Sequence, residues 1–353
     1  MSVFRRTFWN TPLKISRARQ TYFSIYPFGE GCENGLGSEE IDMTSRTVYF
    51  NGRFVSEQEA RVSIFDSALI FGDMVFDITR TYNQKPFKLK AHLERLYAGL
   101  KYFEIDCGLT MDEMEQVTME TLQRNLPVVE GADVQIMHDI SRGPLPAYKS
   151  VFEGETQPTI SINCWPLWWH LAGNGPLYRS GVNSVVTPQR SVPAYLIDPK
   201  VKNRSRVYYQ MANLQAQKVD PQGFPLLTDD QGFITEGSGS NFFIFRQGRV
   251  LTPKGHNILL GVSRNTTLEL LTKISIPWGE EDFGVYEIVT AEEAFHTATT
   301  YSIMPCTRIN GLPIGEGKPG PLTKRLTAAW SELVGLDIVA QADDYAQKVK
   351  TMS

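Results

Sequence analysis

Alternating apolar and polar positions predict that the folded part of the chain begins with short antiparallel strands. The segment Thr47–Phe54 has apolar residues on both sides of Asn51-Gly52, and this dipeptide between apolar runs is the strongest short-range signal for a β-hairpin. A second alternating run extends from Val75 to Tyr82, which predicts a strand with two distinct faces. Further predictions are strands at Val134–Ile140 and Thr159–Trp165 and a Gly- and Pro-rich loop at Ser141–Gln157.

A spacing of three and four residues between apolar positions predicts helices after the first strands. The stripe Leu89, Leu93, Leu96, Leu100 and Phe103 recurs at this spacing, so one face of that helix should be buried. The remaining predictions are helices at Met111–Leu126, Ser263–Leu271 and Leu322–Leu333 and a strand meander at Phe224–Pro253. The mixture of helices and strands indicates an α/β (α+β) protein.

The length of 353 residues indicates two domains, because a single core rarely grows this large. Three tryptophans, Trp165, Trp168 and Trp169, fall in the stretch that we interpret as the connection between them. They either pack at the domain interface or line a ligand cleft there. The predicted organisation is an N-terminal extension at 1–45, a small α/β domain at 46–164, an interdomain linker at 165–175 and a large domain at 176–353.

The N-terminal extension is basic, with no acidic residue before Glu30. Such a composition is typical of a transit peptide, and the alternative is an arm that packs on a partner subunit. Its basic residues are Arg5, Arg6, Lys14, Arg17 and Arg19.

Composition excludes several classes of function. The net charge is -4 and no basic run of the nucleic-acid-binding type occurs, so DNA or RNA is not expected as a partner. The sequence contains no apolar stretch of the roughly 20 residues that a membrane-spanning helix needs. The four cysteines form no CxxC pair and the five histidines lack zinc spacing, so we expect no metal and a reducing, cytoplasmic location.

Two segments could contribute to a ligand site. Gly261-Val262-Ser263-Arg264 places a glycine before a predicted helix, where free backbone N–H groups and the helix dipole suit a phosphate. The alternative is an ordinary helix cap. Glu236 lies between small residues in Thr235–Asn241. Small neighbours let a flat ligand approach the backbone, and the alternative is a glutamate on an edge strand beside a bulge.

The basic segment Asp198–Arg206 is a candidate for amine chemistry. Reaction of a lysine with a carbonyl needs an amine held near neutrality, and Arg204 and Arg206 would help to lower its pKa. No spacing rule favours Lys202 over Lys200, and the alternative is a solvated basic surface.

Taken in order, these motifs resemble the class IV aminotransferases, which have fold type IV. This family includes branched-chain aminotransferases, D-amino-acid aminotransferases, (R)-selective amine transaminases and aminodeoxychorismate lyase. The resemblance covers about residues 47–336, and the stretches around Lys202 and at 317–324 look most like the (R)-amine group. It rests on Phe71-Gly72-Asp73, His92-Leu93-Glu94-Arg95, Lys202-Asn203, Thr235-Glu236-Gly237-Ser238, Asn241-Phe242, Thr252-Pro253, Leu260-Gly261-Val262-Ser263-Arg264 and Ile303-Met304-Pro305.

The resemblance implies a large domain with a barrel-like sheet, a homodimer, and pyridoxal 5'-phosphate as cofactor. Lys202 matches the lysine that binds the cofactor and shuttles the proton, and Glu236 matches the carboxylate that faces the pyridine nitrogen. The residues matching the phosphate site are Arg95, Val262, Ser263 and Thr299. By itself, Arg95 lies off the apolar stripe of its helix and could equally be solvated.

Three positions depart from the family pattern. Ala298 stands where Ser or Thr is frequent, so one hydroxyl contact to the phosphate is missing. Arg206 stands where (R)-amine enzymes carry tryptophan, and Phe76 where tyrosine is frequent. The departures at Arg206 and Phe76 concern the substrate rather than the cofactor.

The substrate prediction is a ping-pong transfer from an (R)-amine or D-amino acid to a 2-oxo acid such as pyruvate. Strand periodicity places Phe76, Ile78 and Arg80 on one face, which the resemblance turns toward the substrate. Arg80 is the first candidate for the carboxylate, because arginine binds carboxylates in a bidentate manner. Lys149 is the second. The alternatives are a branched-chain L-amino-acid aminotransferase, a lyase of the aminodeoxychorismate type, and a cofactor-free binding protein.

Overall fold

The computed structural model describes residues 45–151 and 156–352, and its first part is a six-stranded antiparallel sheet with helices on one face. The elements are, in chain order, β1 (Thr47–Phe50), β2 (Arg53–Ser56), α1 (Ser67–Phe71), β3 (Met74–Tyr82), β4 (Lys85–Pro86), α2 (Leu89–Tyr102), α3 (Met111–Asn125), β5 (Val134–Ser141) and β6 (Thr159–Pro166). The strand order is β2-β1-β6-β5-β3-β4. The predicted hairpin, strands and helices of this region are confirmed.

Helix α2 lies on strand β3 through the apolar stripe expected from its sequence. Leu93, Leu96 and Leu100 are buried together with Val75 of the strand. Gly99 makes the close approach possible, because a Cβ atom there would lie 2.8 Å from a methyl group of Val75. This close packing fixes the direction in which the polar face of α2 points.

The second part of the chain is built around a nine-stranded sheet. Its elements are α4 (Trp168–Leu171), α5 (Leu177–Ser180), β7 (Val182–Val186), α6 (Val207–Val219), β8 (Phe224–Thr228), β9 (Ile234–Gly237), β10 (Asn241–Arg246), β11 (Arg249–Thr252), α7 (Val262–Lys273), β12 (Trp278–Glu280), α8 (Val285–Val289), β13 (Glu293–Ala298), β14 (Ser302–Ile309), β15 (Leu312–Pro313), α9 (Pro321–Val334) and α10 (Ile338–Met352). The predicted meander and the helices near Ser263 and Leu322 are confirmed.

Six strands of this second sheet close into a barrel. The path runs β10-β13-β14-β7-β8-β9, and β9 pairs again with β10 through Glu236 and Asn241. Two apolar clusters fill and surround the sheet, one around Phe242 and Ile244 and the other around Phe243 and Trp330. The closing pair therefore carries a carboxylate and an amide side chain at the same point of the barrel.

One loop prediction needs correction, and the predicted linker contains regular structure. The segment 141–157 is not irregular throughout, since a 3-10 helix occupies Pro146–Val151. The segment 165–175 starts in β6 and continues through α4 and a 3-10 helix at Ala172–Asn174. Its tryptophans contact distant parts of the chain: the Trp165 indole N–H donates to the Gln135 side chain, Arg46 lies over the Trp169 ring, and Lys348 lies over the Trp168 ring. The domain boundaries stay a prediction, with the two sheets on either side of this segment.

Three expectations remain, on the N-terminal segment, on membrane-spanning helices and on metal-binding groups. Residues 1–44, and with them the two alternatives for the basic N-terminal segment, lie outside the described part of the chain. Within 45–151 and 156–352, no helix is both long enough and apolar enough to cross a membrane. The same residues contain no group of three His, Cys, Asp or Glu side chains arranged to hold a metal ion.

Candidate active site

The segment that carries Lys202 is held against strand β3 by backbone hydrogen bonds. The N–H of Phe76 donates to the carbonyl of Lys202 over 2.9 Å, and the N–H of Arg204 donates to the carbonyl of Met74 over 2.9 Å. Asn203, between them, forms a bridge with Val75. This pairing fixes Lys202 between the two sheets, just before helix α6.

A cavity with about 610 Å³ of empty space, counted out to open solvent, lies where the two sheets meet. Every residue that the sequence assigns to the cofactor lines this cavity: Arg95, Lys202, Glu236, Val262, Ser263 and Thr299. They come from separate segments of the chain, so only the fold brings them together.

The Lys202 amine is held close to neutrality. Burial is the largest cause and, together with the charges of Arg95 and Arg206, lowers its pKa from 10.5 to about 7. Asp77 and Glu236 act in the opposite direction. The expected influence of Arg206 is present, whereas Arg204 is not among the charges that set this pKa.

Glu236 is fixed by three hydrogen-bond donors. The Tyr209 hydroxyl donates to Oε1 over 2.6 Å, and the Asn241 side-chain amide and the Leu259 N–H donate to Oε2 over 3.2 and 3.1 Å. Burial raises the pKa of Glu236 to about 7, and the hydrogen bonds from Tyr209 and Leu259 limit the rise. Sequence reasoning quoted Asn241 only as part of a motif and missed Tyr209, which carries no distinguishing spacing.

At the opposite end, Arg95 is oriented by a buried carboxylate. Asp77 of β3 accepts two hydrogen bonds of 2.8 Å from the Arg95 guanidinium and one contact of 2.7 Å from the His92 ring. Burial opposes ionisation of Asp77, but the charges of Arg95 and His92 outweigh it and lower the pKa of this carboxyl. A carboxylate of β3 thus positions an arginine of α2 toward the cavity.

The start of α7 also faces the cavity. Gly261 precedes it in an extended conformation, and a Cβ atom there would lie 2.2 Å from the Asn241 side-chain oxygen, so only glycine fits. Among the described residues no side chain caps this helix. The N–H groups of its first turn, at Val262 and Ser263, are therefore available to an anion.

Three cationic side chains surround the Phe76 ring. The charged groups of Lys202, Arg204 and Arg206 lie 4.9, 3.8 and 4.8 Å from its centroid. Phe76 is 1% exposed and packs against these groups without lining the cavity. Arg206 does line it.

The other predicted substrate residues lie away from the cavity. Ile78 is half-buried and Lys149 is exposed on the 3-10 helix, and neither is among the residues that line it. Arg80 does not line the cavity either: it is 2% exposed, and its guanidinium donates to the carbonyls of Thr81 and Thr300 and to the Gln341 side chain. Its bonding capacity is used to join β3 to the second part of the chain.

Comparisons with known proteins identify the family to which the sequence is similar. A family model described as amino-transferase class IV matches residues 74–309. A putative branched-chain-amino-acid aminotransferase of Methanocaldococcus jannaschii is 32% identical over 287 residues, which cover 81% of this chain and 96% of that protein. The D-alanine aminotransferase of Bacillus licheniformis is 29% identical over 283 residues, 80% of this chain and 95% of that protein.

Solved structures show the same architecture. The branched-chain aminotransferase of Thermoproteus uzoniensis with norvaline superimposes with a TM-score of 0.71 and 26% identity, covering 85% of this chain and 97% of that one. The branched-chain amino acid aminotransferase of Escherichia coli gives a TM-score of 0.70 at 22% identity, covering 82% of this chain and 94% of that one. This second likeness concerns the fold alone.

The cavity residues fit pyridoxal 5'-phosphate, the cofactor of this family. The Lys202 amine makes no hydrogen bond or ion pair within the described residues, and the buried Thr297 hydroxyl in the cavity wall has no hydrogen-bond partner among them either. An aldehyde and a phosphate would satisfy these groups, and the fixed Glu236 carboxylate suits a pyridine nitrogen. With a family model matching more than half of its residues, the chain belongs to the class IV aminotransferases, enzymes that transfer amino groups with pyridoxal phosphate.

Proposed function

We propose that the protein transfers the amino group of a D-amino acid or (R)-amine to a 2-oxo acid such as pyruvate. The observation that carries the proposal is the convergence of Lys202, Glu236 and the four phosphate-site residues on one cavity. Support for the D-series comes from the motifs around Lys202 and from the likeness to a D-alanine aminotransferase. The 2-oxo acid follows from the aminotransferase reaction, in which two substrates use one site in turn.

In this proposal Lys202 holds the cofactor and moves the proton. An amine with a pKa of about 7 can accept and release a proton near neutral pH, which is the condition for efficient acid–base catalysis. Bound pyridoxal phosphate supplies the electron sink that makes the Cα–H bond of the amino donor acidic. Glu236 strengthens that sink by keeping a proton on the pyridine nitrogen.

Arg95, the first turn of α7 and Thr299 are proposed to bind the phosphate. Arg95 would supply a positive charge, oriented by Asp77, and the first turn of α7 would supply backbone N–H donors. Both kinds of group suit a phosphate. The phosphate end and Glu236 would fix the ring at two points. Lys202, which lines the same cavity and is influenced by the charges of both Arg95 and Glu236, would bind the aldehyde.

A homodimer is part of the proposal. Exposed apolar side chains collect on α1, on the loop before Lys202 and at the start of α6. Ser205, just before α6, donates to the carbonyl of Phe71 over 2.9 Å, so the end of α1 lies beside the start of α6. Apolar surface of this kind is typical of subunit interfaces. The residues are Leu69 (64% exposed), Phe71 (65%), Tyr195 (81%), Leu196 (65%) and Val207 (75%). Sedimentation of the holoenzyme at twice the chain mass is the expected result.

A reducing, cytoplasmic location also stays a proposal. Cys107, Cys164 and Cys306 are buried and free, and burial raises the pKa of the Cys164 thiol to about 12. Such thiols are inert. Fractionation of cells expressing the full chain, with the N-terminal extension intact, tests the location.

The second candidate is a branched-chain L-amino-acid aminotransferase. It is favoured by the 32% identity to the Methanocaldococcus jannaschii protein of that description. The likeness in sequence to the D-alanine enzyme is nearly equal, so identity alone does not separate the two candidates.

The deciding experiment is a set of half-reactions. Purified holoenzyme is mixed with single donors, namely D- and L-alanine, D- and L-leucine, and (R)- and (S)-1-phenylethylamine, and loss of the visible absorbance of the cofactor is followed. The proposal expects faster reaction with the D or (R) member of each pair. Preference for L-leucine would establish the second candidate, and no reaction with any donor would contradict both.

A further inference from the structure

The cavity contains more positive charge than its own carboxylates neutralise. Arg95 is paired with Asp77, and Arg204 is paired with Asp139, whose Oδ1 accepts two hydrogen bonds of 2.7 and 3.0 Å. Arg206 differs from both. Within the described residues its guanidinium makes no ion pair or side-chain hydrogen bond, and it lies over the rings of Phe76 and Tyr209.

The position of Arg206 suits an anion that enters from solvent. It is half-buried and lines the cavity together with Tyr208 and Tyr209 of the first turn of α6. Arg206 is the residue directly before this 13-residue helix, so the positive end of the helix dipole lies beside the guanidinium. Burial and the charge of Arg204 lower the pKa of Arg206, whereas Tyr209, Tyr208 and Glu236 act in the opposite direction.

The other cationic side chains considered for the carboxylate are either engaged by protein groups or lie outside the cavity. Arg80 has its three donor groups engaged outside the cavity, and Lys149 does not line it. Arg95 lies with α7 at the end assigned to the phosphate, where its guanidinium also reaches the carbonyl of Leu260. Only Arg206 combines cavity exposure, full charge and an unmatched guanidinium among the described residues.

We propose that Arg206 binds the carboxylate of the substrate, so that the amino donor is an amino acid and simple amines are poor substrates. This inference rests on the proposed function and narrows its donor class. Guanidinium and carboxylate match as planar, bidentate partners. Because the guanidinium lies over the Phe76 and Tyr209 rings, the bound carboxylate would lie beside these two rings.

A binding experiment tests the inference without turnover. Propionate and 4-methylvalerate, two carboxylates without an amino group, are titrated into holoenzyme and the absorbance of the cofactor is followed. Arg206→Gln should weaken the tighter of the two by about 10- to 100-fold, the range for a lost charged hydrogen-bonded pair, and Arg206→Lys should restore part of it. Arg204→Gln is the matched control, because its charge is neutralised by Asp139. Failure of the wild-type holoenzyme to bind either carboxylate, or equal weakening in both glutamine variants, would overturn the proposal.

Half-reaction kinetics provide the second readout. For Arg206→Gln we expect the loss in kcat/KM to be at least about tenfold larger for alanine than for 1-phenylethylamine, each used as its preferred enantiomer. An equal loss for both donors, or a lower affinity for pyridoxal phosphate, would assign Arg206 to the cofactor and refute the inference. If no donor reacts with wild-type enzyme, the proposed function fails, while the carboxylate titration still decides the role of Arg206.

Discussion

The most direct quantitative prediction concerns the titration of Lys202. Burial and the charges of Arg95 and Arg206 lower its pKa from 10.5 to about 7. At pH 7 about half of the Lys202 side chains should therefore be neutral, compared with about one in 3000 for an unperturbed lysine. Because only the neutral amine attacks an electrophile, the acylation rate of Lys202 should follow its neutral fraction and reach half of its maximum near pH 7.

Competitive labelling measures this rate residue by residue. Protein freed of cofactor is treated with a trace of acetic anhydride at a series of pH values from about 5 to about 11, which spans both the lowered and the ordinary lysine pKa. Each sample is then denatured and fully acetylated with isotopically heavy acetic anhydride. Mass spectrometry of chymotryptic peptides gives the light-to-heavy ratio at Lys202. Lys200, exposed and paired with Asp198, is the control within the same segment.

Two variants should move the titration in opposite directions. Arg206→Gln removes a positive neighbour and should raise the pKa of Lys202, whereas Glu236→Gln removes a negative one and should lower it. A general disturbance of the cavity would not produce opposite shifts. A midpoint for Lys202 at the ordinary value of 10.5, or shifts of the same sign, would refute the electrostatic reasoning.

Four further outcomes are expected. Borohydride reduction of the holoenzyme should place the cofactor on Lys202 in peptide maps, and a label on Lys200 would contradict the assignment. Glu236→Gln should lose most of its turnover while still binding cofactor, because an amide cannot supply the charge; near-normal kcat would exclude the role. Arg80→Ala should lower the free energy of unfolding in urea by about 3 kcal/mol without raising KM for pyruvate, and the reverse result would restore Arg80 as a substrate ligand. Asp77→Asn should weaken cofactor binding in equilibrium dialysis, because Arg95 at the phosphate end loses its charged partner. Unchanged affinity would show that Asp77 does not position Arg95 for the phosphate.

Local patterns predicted the elements well because their causes are local. The hairpin at Asn51-Gly52 and the stripe of α2 depend on residues within a few positions of one another. The cofactor residues were found through motifs whose order along the chain resembles a known family. Their convergence on one cavity is a property of the fold, since Arg95 and Glu236 belong to different parts of the chain, on either side of the Lys202 segment.

Arg80 shows where local reasoning ends. Period two places Arg80 and Asp77, which contacts α2, on different faces of β3, but it does not say what packs on either face. The partners of Arg80 at Thr300 and Gln341 are 220 and 261 positions away, beyond any local pattern. Arg80, near the end of β3, donates hydrogen bonds to two backbone carbonyls. Arg206, in contrast, lines the cavity.

The unmatched charge at Arg206 and the neutral amine at Lys202 are linked. Each carboxylate near the Lys202 amine already has a partner, since Asp77 binds Arg95 and Glu236 accepts three hydrogen bonds. The surplus positive charge therefore contributes to holding Lys202 neutral, ready to attack the cofactor. A substrate carboxylate on Arg206 would cancel that charge and increase the proton affinity of Lys202 at the step in which it must take the proton from the donor. A simple amine brings no such charge, so a single arginine would select the donor and also favour the proton transfer.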